Sequence, residues 1–199
     1  MKSSILRAGV VALACALGLS ACGGGSGDLY LTGAVYNVTK DGLVLTNNGE
    51  DLAVTAPYTS FQFNNRISTD DQFNITVKSV PSNVATKDDC EVLNGKARAN
   101  YYTIAQIRVT CKIRQRALTA TIVNLTTSGL VIVNGADRHD VPAGTTSVPM
   151  AGVNEDGPYG VTVLQQPTGQ TCTVSGGGNG KGAGTMGATE TTTVTVTCA

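Results

Sequence analysis

The chain contains the same pattern twice. The run G-L-V-L-T-N at 42–47 returns as G-L-V-I-V-N at 129–134, an offset of 87, and Asn37 and Val38 return as Asn124 and Leu125 at the same offset. F-N-I-T-V at 73–77 matches Y-G-V-T-V at 159–163, now at 86, and Pro81 matches Pro167. V-T-C at 109–111 closes the first copy as V-T-C at 196–198 closes the second. This tandem duplication constrains the fold more than any other feature. Each copy has under 90 residues and must build the same modest core unaided.

Val and Thr alternate through both copies, Gly numbers 24, and charged residues make up only 14% of the chain. That is the composition of exported β-structure. Strand-like runs at 31–38, 43–45, 52–54, 60–63, 73–80, 90–92 and 101–113 give about seven short strands in the first copy. Turn residues separate them, among them Asp41, Gly42, Asn94 and Gly95. The pattern predicts an all-β chain of two tandem immunoglobulin-like β-sandwich modules, at 29–115 and 116–199. Trp is absent, so the likeness is to the architecture and not to the antibody core. Residues 112–116 join the copies without Gly or Pro, which predicts little hinge motion.

The amino-terminal region has an export layout. Lys2 and Arg7 precede an apolar stretch at 8–19, shorter than the roughly 20 residues that a membrane span needs. Leu19, Ser20, Ala21 and Cys22 follow, and they resemble the lipobox of bacterial lipoproteins at every position. The resemblance implies a signal peptide at 1–21, cleavage before Cys22, and lipid on that cysteine. Two or three acyl chains, at about 0.8 kcal/mol per buried methylene, would anchor it durably in a membrane. Gly23 after the cysteine, where an inner-membrane lipoprotein carries Asp, implies the outer membrane of a Gram-negative cell. Residues 22–28 form a Gly-rich tether with a mean span on the order of 13 Å.

Cysteine usage agrees with export. Cys15 lies in the leader and Cys22 takes the lipid, which leaves Cys90, Cys111, Cys172 and Cys198 as an even set. Four cysteines allow three pairings. Cys90 and Cys172 each precede the closing strand of their own copy, so the simplest pairing is Cys90 with Cys111 and Cys172 with Cys198. Strand parity agrees, since Ile107, Val109 and Cys111 share one face, as do Val194, Val196 and Cys198. Each bond closes a loop of about 20 to 26 residues and should contribute on the order of 3 kcal/mol.

The whole mature chain resembles the tandem-repeat lipoproteins and surface proteins of Gram-negative bacteria, whose modules carry G-L-V-L-x-N, an aromatic-x-V-T-V strand, Q-P-x-G-Q-T-C and a closing V-T-C. The second copy matches through Gln166, Pro167, Thr168, Gly169, Gln170, Thr171 and Cys172, while the first lacks the G-Q-T-C run. The resemblance implies extracytoplasmic structural or binding modules.

No catalytic set emerges. The glycine run 176–182 with Lys181 invites a phosphate-loop reading, but Ser175 and Gly182 break the pattern; a loose hairpin is expected. His139 is the lone histidine, and the chain has no G-x-S-x-G elbow and no zinc spacing. The acidic pairs Asp70 and Asp71, Asp88 and Asp89, and Glu155 and Asp156 lack calcium-loop spacing and read as solvated turns. Without Lys2 and Arg7 the chain has two more acidic than basic residues, which disfavours nucleic acid as a partner. Tyrosine-bearing segments at 58–65 and 100–102 suit recognition. The expected role is a non-catalytic envelope lipoprotein, with no cofactor beyond the lipid on Cys22, that serves as a structural module or as a binding or adhesion module for a protein or a glycan. The alternatives are an assembly factor for envelope machinery, or an enzyme or inhibitor acting on the envelope.

Overall fold

The computed structural model describes residues 29–57, 59–189 and 191–199. The leader, the lipobox with Cys22, and the tether lie outside the described residues, as does Tyr58. Each copy forms eight strands, one more than the pattern predicts. The first holds β1 (Leu29–Tyr36), β2 (Leu43–Asn47), β3 (Glu50–Val54), β4 (Ser60–Ile67), β5 (Gln72–Ser79), β6 (Cys90–Leu93), β7 (Lys96–Arg98) and β8 (Arg108–Cys111). The second holds β9 (Gln115–Val123), β10 (Leu130–Asn134), β11 (Asp137–Val141), β12 (Ser147–Asn154), β13 (Pro158–Gln165), β14 (Cys172–Gly176), β15 (Ala183–Thr185) and β16 (Thr191–Cys198).

Two four-stranded sheets make each module, ordered β4-β1-β8-β6 and β3-β2-β5-β7 in the first, β12-β9-β16-β14 and β11-β10-β13-β15 in the second. The two copies therefore share one topology. Neighbouring strands are antiparallel except that the last strand of each module lies parallel to its first. The core of the first module runs from Leu31 to Cys111 and that of the second from Leu118 to Cys198. Leu31, Val35, Leu43, Leu45, Val54 and Val109 are buried, and so are Leu118, Ile122, Leu130, Ile132, Val141 and Val196 at matching positions. Each such side chain contributes roughly 1.5 to 3 kcal/mol on burial.

Turns repeat with the core. Asn37 and Asn124 are both left-handed, at φ 59° and 61°, as are Asp70 and Asp156 at 69° and 66°. Asn and Asp tolerate that region because a short polar side chain can bond locally. Gly95 and Gly182 also match. A Cβ on Gly95 would sit 2.5 Å from Val92 Cγ1 and 2.9 Å from the Ile75 carbonyl, and one on Gly182 would sit 2.5 Å from Val174 Cγ1 and 2.7 Å from the Val161 carbonyl. In both copies this glycine lets the hairpin before the closing strand press onto β5 or β13, where its own carbonyl accepts from the Ile75 or Val161 amide.

Cys90 faces Cys111 across β6 and β8, with Cα atoms 4.0 Å apart, and Cys172 faces Cys198 across β14 and β16 at 3.9 Å. Both bonds lie within one sheet, where they tie the edge strand to the closing strand. All four sulfur-bearing residues are buried in the cores.

The first module departs from the expected pattern at 101–113, which is not one strand. Asn100 ends the preceding extended segment, and its side-chain oxygen accepts from the amides of Tyr102 and Thr103. The Thr103 hydroxyl accepts in turn from the Asn100 amide, which completes a capping box. The result is a single helical turn, α1 (Tyr101–Ile104), and β8 starts only at Arg108. A run of aromatic and β-branched residues reads as strand by propensity, and the local cap overrides it.

Replacing Gly95 by Ala should cost about 1 to 3 kcal/mol, because a packed valine or a backbone carbonyl must move. Equilibrium denaturation of the oxidised chain measures it, and Gly182→Ala should do the same to the second module.

Candidate functional site

The structure separates the residues that could carry chemistry. His139 meets the Asp137 carboxylate at 3.0 Å, and that carboxylate also accepts from the Ala151 amide at 2.7 Å. Asp137 thus ties β11 to β12, which belong to different sheets. Glu50 performs the same task in the first module, accepting from the Asn64 and Asn65 amides. The glycine run is not the loose hairpin expected. The Asn179 side chain accepts from the amides of Lys181 and Ala183, and the Gly178 amide donates to the Tyr159 hydroxyl. Those amides are turned inward and do not form a phosphate cradle. Asp89 accepts from the Thr86 amide and hydroxyl, and Asp70 shapes a turn. Among the described residues no group of three His, Cys, Asp or Glu side chains gathers as a metal site, and no helix is long and apolar enough to cross a membrane.

Glu155 and Asp156 are not a solvated acidic pair. Glu155 is 2% exposed, and together with Asn83 it is one of two buried polar residues among those described. Both stand where the modules meet. Glu155 accepts from Arg116 Nη2 at 2.8 Å and Nε at 3.1 Å, and from Lys40 Nζ at 3.0 Å. Lys40 also pairs with Asp156 at 3.1 Å, and Asn83 donates to Asp156 at 3.2 Å and to the Thr39 hydroxyl at 2.8 Å. Between these side chains the backbone of Arg114 is held from both sides, its amide donating to Asn83 and its carbonyl accepting from Glu155. The Arg116 guanidinium first, then Lys40, hold the Glu155 carboxyl below its ordinary range against the opposing effect of burial. Asp156 first, then Glu155, hold the Lys40 ammonium above its own. The sequence did carry a signal of this joint. Lys40 is matched by Thr127 and Glu155 by Thr69, so the charges exist only on the two module ends that touch.

The same comparison exposes a surface. Tyr30, Tyr36, Tyr101 and Tyr102 are exposed, the last two by 76% each, and all four belong to the first module. At the matching positions the second module has Ala117, Val123, Ala188 and Thr189. The shared scaffold therefore folds without them. Tyr30 and Tyr36 alternate with buried Leu31 and Val35, so they stand on the outer face of the first sheet. Arg66, directly opposite Tyr30 on β4, donates to its hydroxyl at 2.6 Å and lies 4.2 Å from its ring centroid. The helical turn α1 packs beside β1 on its other side, with the two tyrosine rings edge-to-face at 5.7 Å.

Next to Arg66 lies an open groove of about 700 Å³ at the module end where β1 begins. The β2–β3 turn, the end of β4 and the β4–β5 turn form its walls, and its lining is polar apart from Ile67 and Gly49. Segment 58–65, expected as a recognition loop, is largely β4, and only its end residue Asn65 reaches this groove. The groove was not foreseen, because its residues are distant in sequence and ordinary one by one.

No protein-family model matches the sequence, and no curated protein matches it significantly. Among solved structures, a C-terminal fragment of the pilus adhesin SpaC from Lactobacillus rhamnosus GG aligns over 84% of this chain and 97% of its own, with 9% identity and a TM-score of 0.37. The Bacillus anthracis TIE protein aligns over 85% of this chain with 11% identity and a TM-score of 0.35. The chain spans about a third of that protein, 34% of its length.

Glu155→Gln should cost about 3 kcal/mol at neutral pH, since it leaves Arg116 and Lys40 short of a buried counter-charge. The joint then weakens, and calorimetry should show the modules melting more independently than in the parent. The folded carboxyl is lowered, so its contribution is fully present above the ordinary value of about 4.3 and is lost as pH falls through the lowered one. The gap between variant and parent should therefore close on acidification below pH 4.

Proposed function

We propose that this chain is a non-catalytic, lipid-anchored lipoprotein of the Gram-negative outer membrane, periplasmic or surface-exposed, whose first module binds a protein or glycan while the second serves as a rigid companion domain. One observation carries the binding role. Four exposed tyrosines and an arginine ring one side of the first module, and the duplicate of that module has small or aliphatic residues at every one of those positions. Tyrosine and arginine are the residues that interfaces concentrate, because they give large contact area at small entropic cost. His139 meets the Asp137 carboxylate, which accepts from the Ala151 amide and so joins two sheets, and this supports the non-enzymatic reading. The anchor rests on the lipobox resemblance, and the two disulfides fit an oxidising compartment.

Mass spectrometry of the mature protein should find residue 22 as a diacylglyceryl-modified amino terminus; an unmodified leader would remove the anchor from this reading. A variant with Tyr30→Ala, Tyr36→Val, Tyr101→Ala and Tyr102→Thr copies the second module and should fold. In crosslinking from native membranes, it should lose the partners that the parent captures. Equal capture by both chains would move the binding role elsewhere.

A further inference from the structure

We infer that the groove at the amino-terminal end of the first module, where β1 begins, is a saccharide site, reading neutral sugar hydroxyls through Asn65, Asp71 and Gln72 with Arg66 at its rim. This rests on the binding reading above and gives it a ligand class.

Asn65, Asp71 and Gln72 line the groove, and their side chains make no hydrogen bond to other described residues. Two carboxamides and a carboxylate thus border one open space with donors and acceptors not engaged within the protein. A sugar hydroxyl both donates and accepts, so adjacent hydroxyls match such a set better than a purely anionic or cationic ligand does. The lining holds one guanidinium, Arg66, against two carboxylates, Glu50 and Asp71, which disfavours an anionic ligand. Ile67 is the one large apolar side chain there, which leaves a peptide without a hydrophobic anchor. The volume, about 700 Å³, falls in the usual range for small ligands, roughly 300 to 1,000 Å³.

The duplicate supplies a second comparison. Where the first module has Asn65, Arg66, Asp71 and Gln72, the second has Gly152, Val153, Gly157 and Pro158. The strands and turns close equally well around those small residues, with β12 and β13 each as long as β4 and β5. The fold thus closes without the polar set, at the end of the second module that abuts the first.

The test uses the detergent-solubilised full chain against tetrasaccharides of N-acetylglucosamine, glucose in β-1,4 and α-1,4 linkage, and mannose, with inorganic phosphate and a lysine-rich peptide as charged controls. Isothermal titration should detect at least one tetrasaccharide. The variant Asn65→Gly, Arg66→Val, Asp71→Gly should bind it at least tenfold more weakly while keeping its circular dichroism and melting profile. Absence of binding to all four sugars, undiminished binding by the folded variant, or preference for phosphate or the peptide would each overturn the saccharide site. Capture of a protein through the tyrosines in that event would leave the broader binding reading intact.

Discussion

Placing the last strand of each module parallel to its first determines how everything else is arranged. With β8 beside β1 and β16 beside β9 in the same direction, the chain enters a module at one end and leaves it at the other. Two such modules follow one another end to end, and three residues, 112–114, suffice between β8 and β9. The contact that results is small and polar, yet it is well held. A buried carboxylate is costly to desolvate and is kept only where opposite charges and backbone bonds surround it. Arg116, Lys40 and the Arg114 backbone supply that surrounding.

Much of this architecture was legible beforehand, and for a reason. Duplication presents each structural requirement twice, so positions that agree reveal the scaffold. The strands around 43–45 and 73–77, the glycine and asparagine turns, and the face shared by Val109 and Cys111 all emerged that way. What stayed hidden was of two kinds. Local capping at Asn100 converts a strand-like run into a helical turn, and alternation cannot register a side chain bonding to its own backbone. Contacts between modules join residues over 70 positions apart, such as Asn83 and Asp156, and no periodic pattern reports them.

Positions that disagree between the copies were the more informative about activity. A groove assembled from Asn65, Asp71 and Gln72, and tyrosines from both ends of the module's sequence, have no motif to announce them. They became visible once the topology set them on one module, along β1 and at the end where it begins, and significant once the second module showed the same scaffold without them. Glu155 taught the opposite lesson, since its divergence from Thr69 serves the joint and not a ligand.

The parallel clamp also has a mechanical meaning. Tension applied to the two ends of a module acts on its first and last strands, which are neighbours, and so slides them past one another; their hydrogen bonds share the load instead of opening in turn. In the second module that clamp runs from Thr191 against Ala117 to Thr197 against Val123, whereas in the first it spans only Ala34 to Tyr36 against Arg108 to Thr110, because α1 occupies the remaining length. Under a pull the first module yields before the second, and its cystine then shields the stretch between Cys90 and Cys111 from extension.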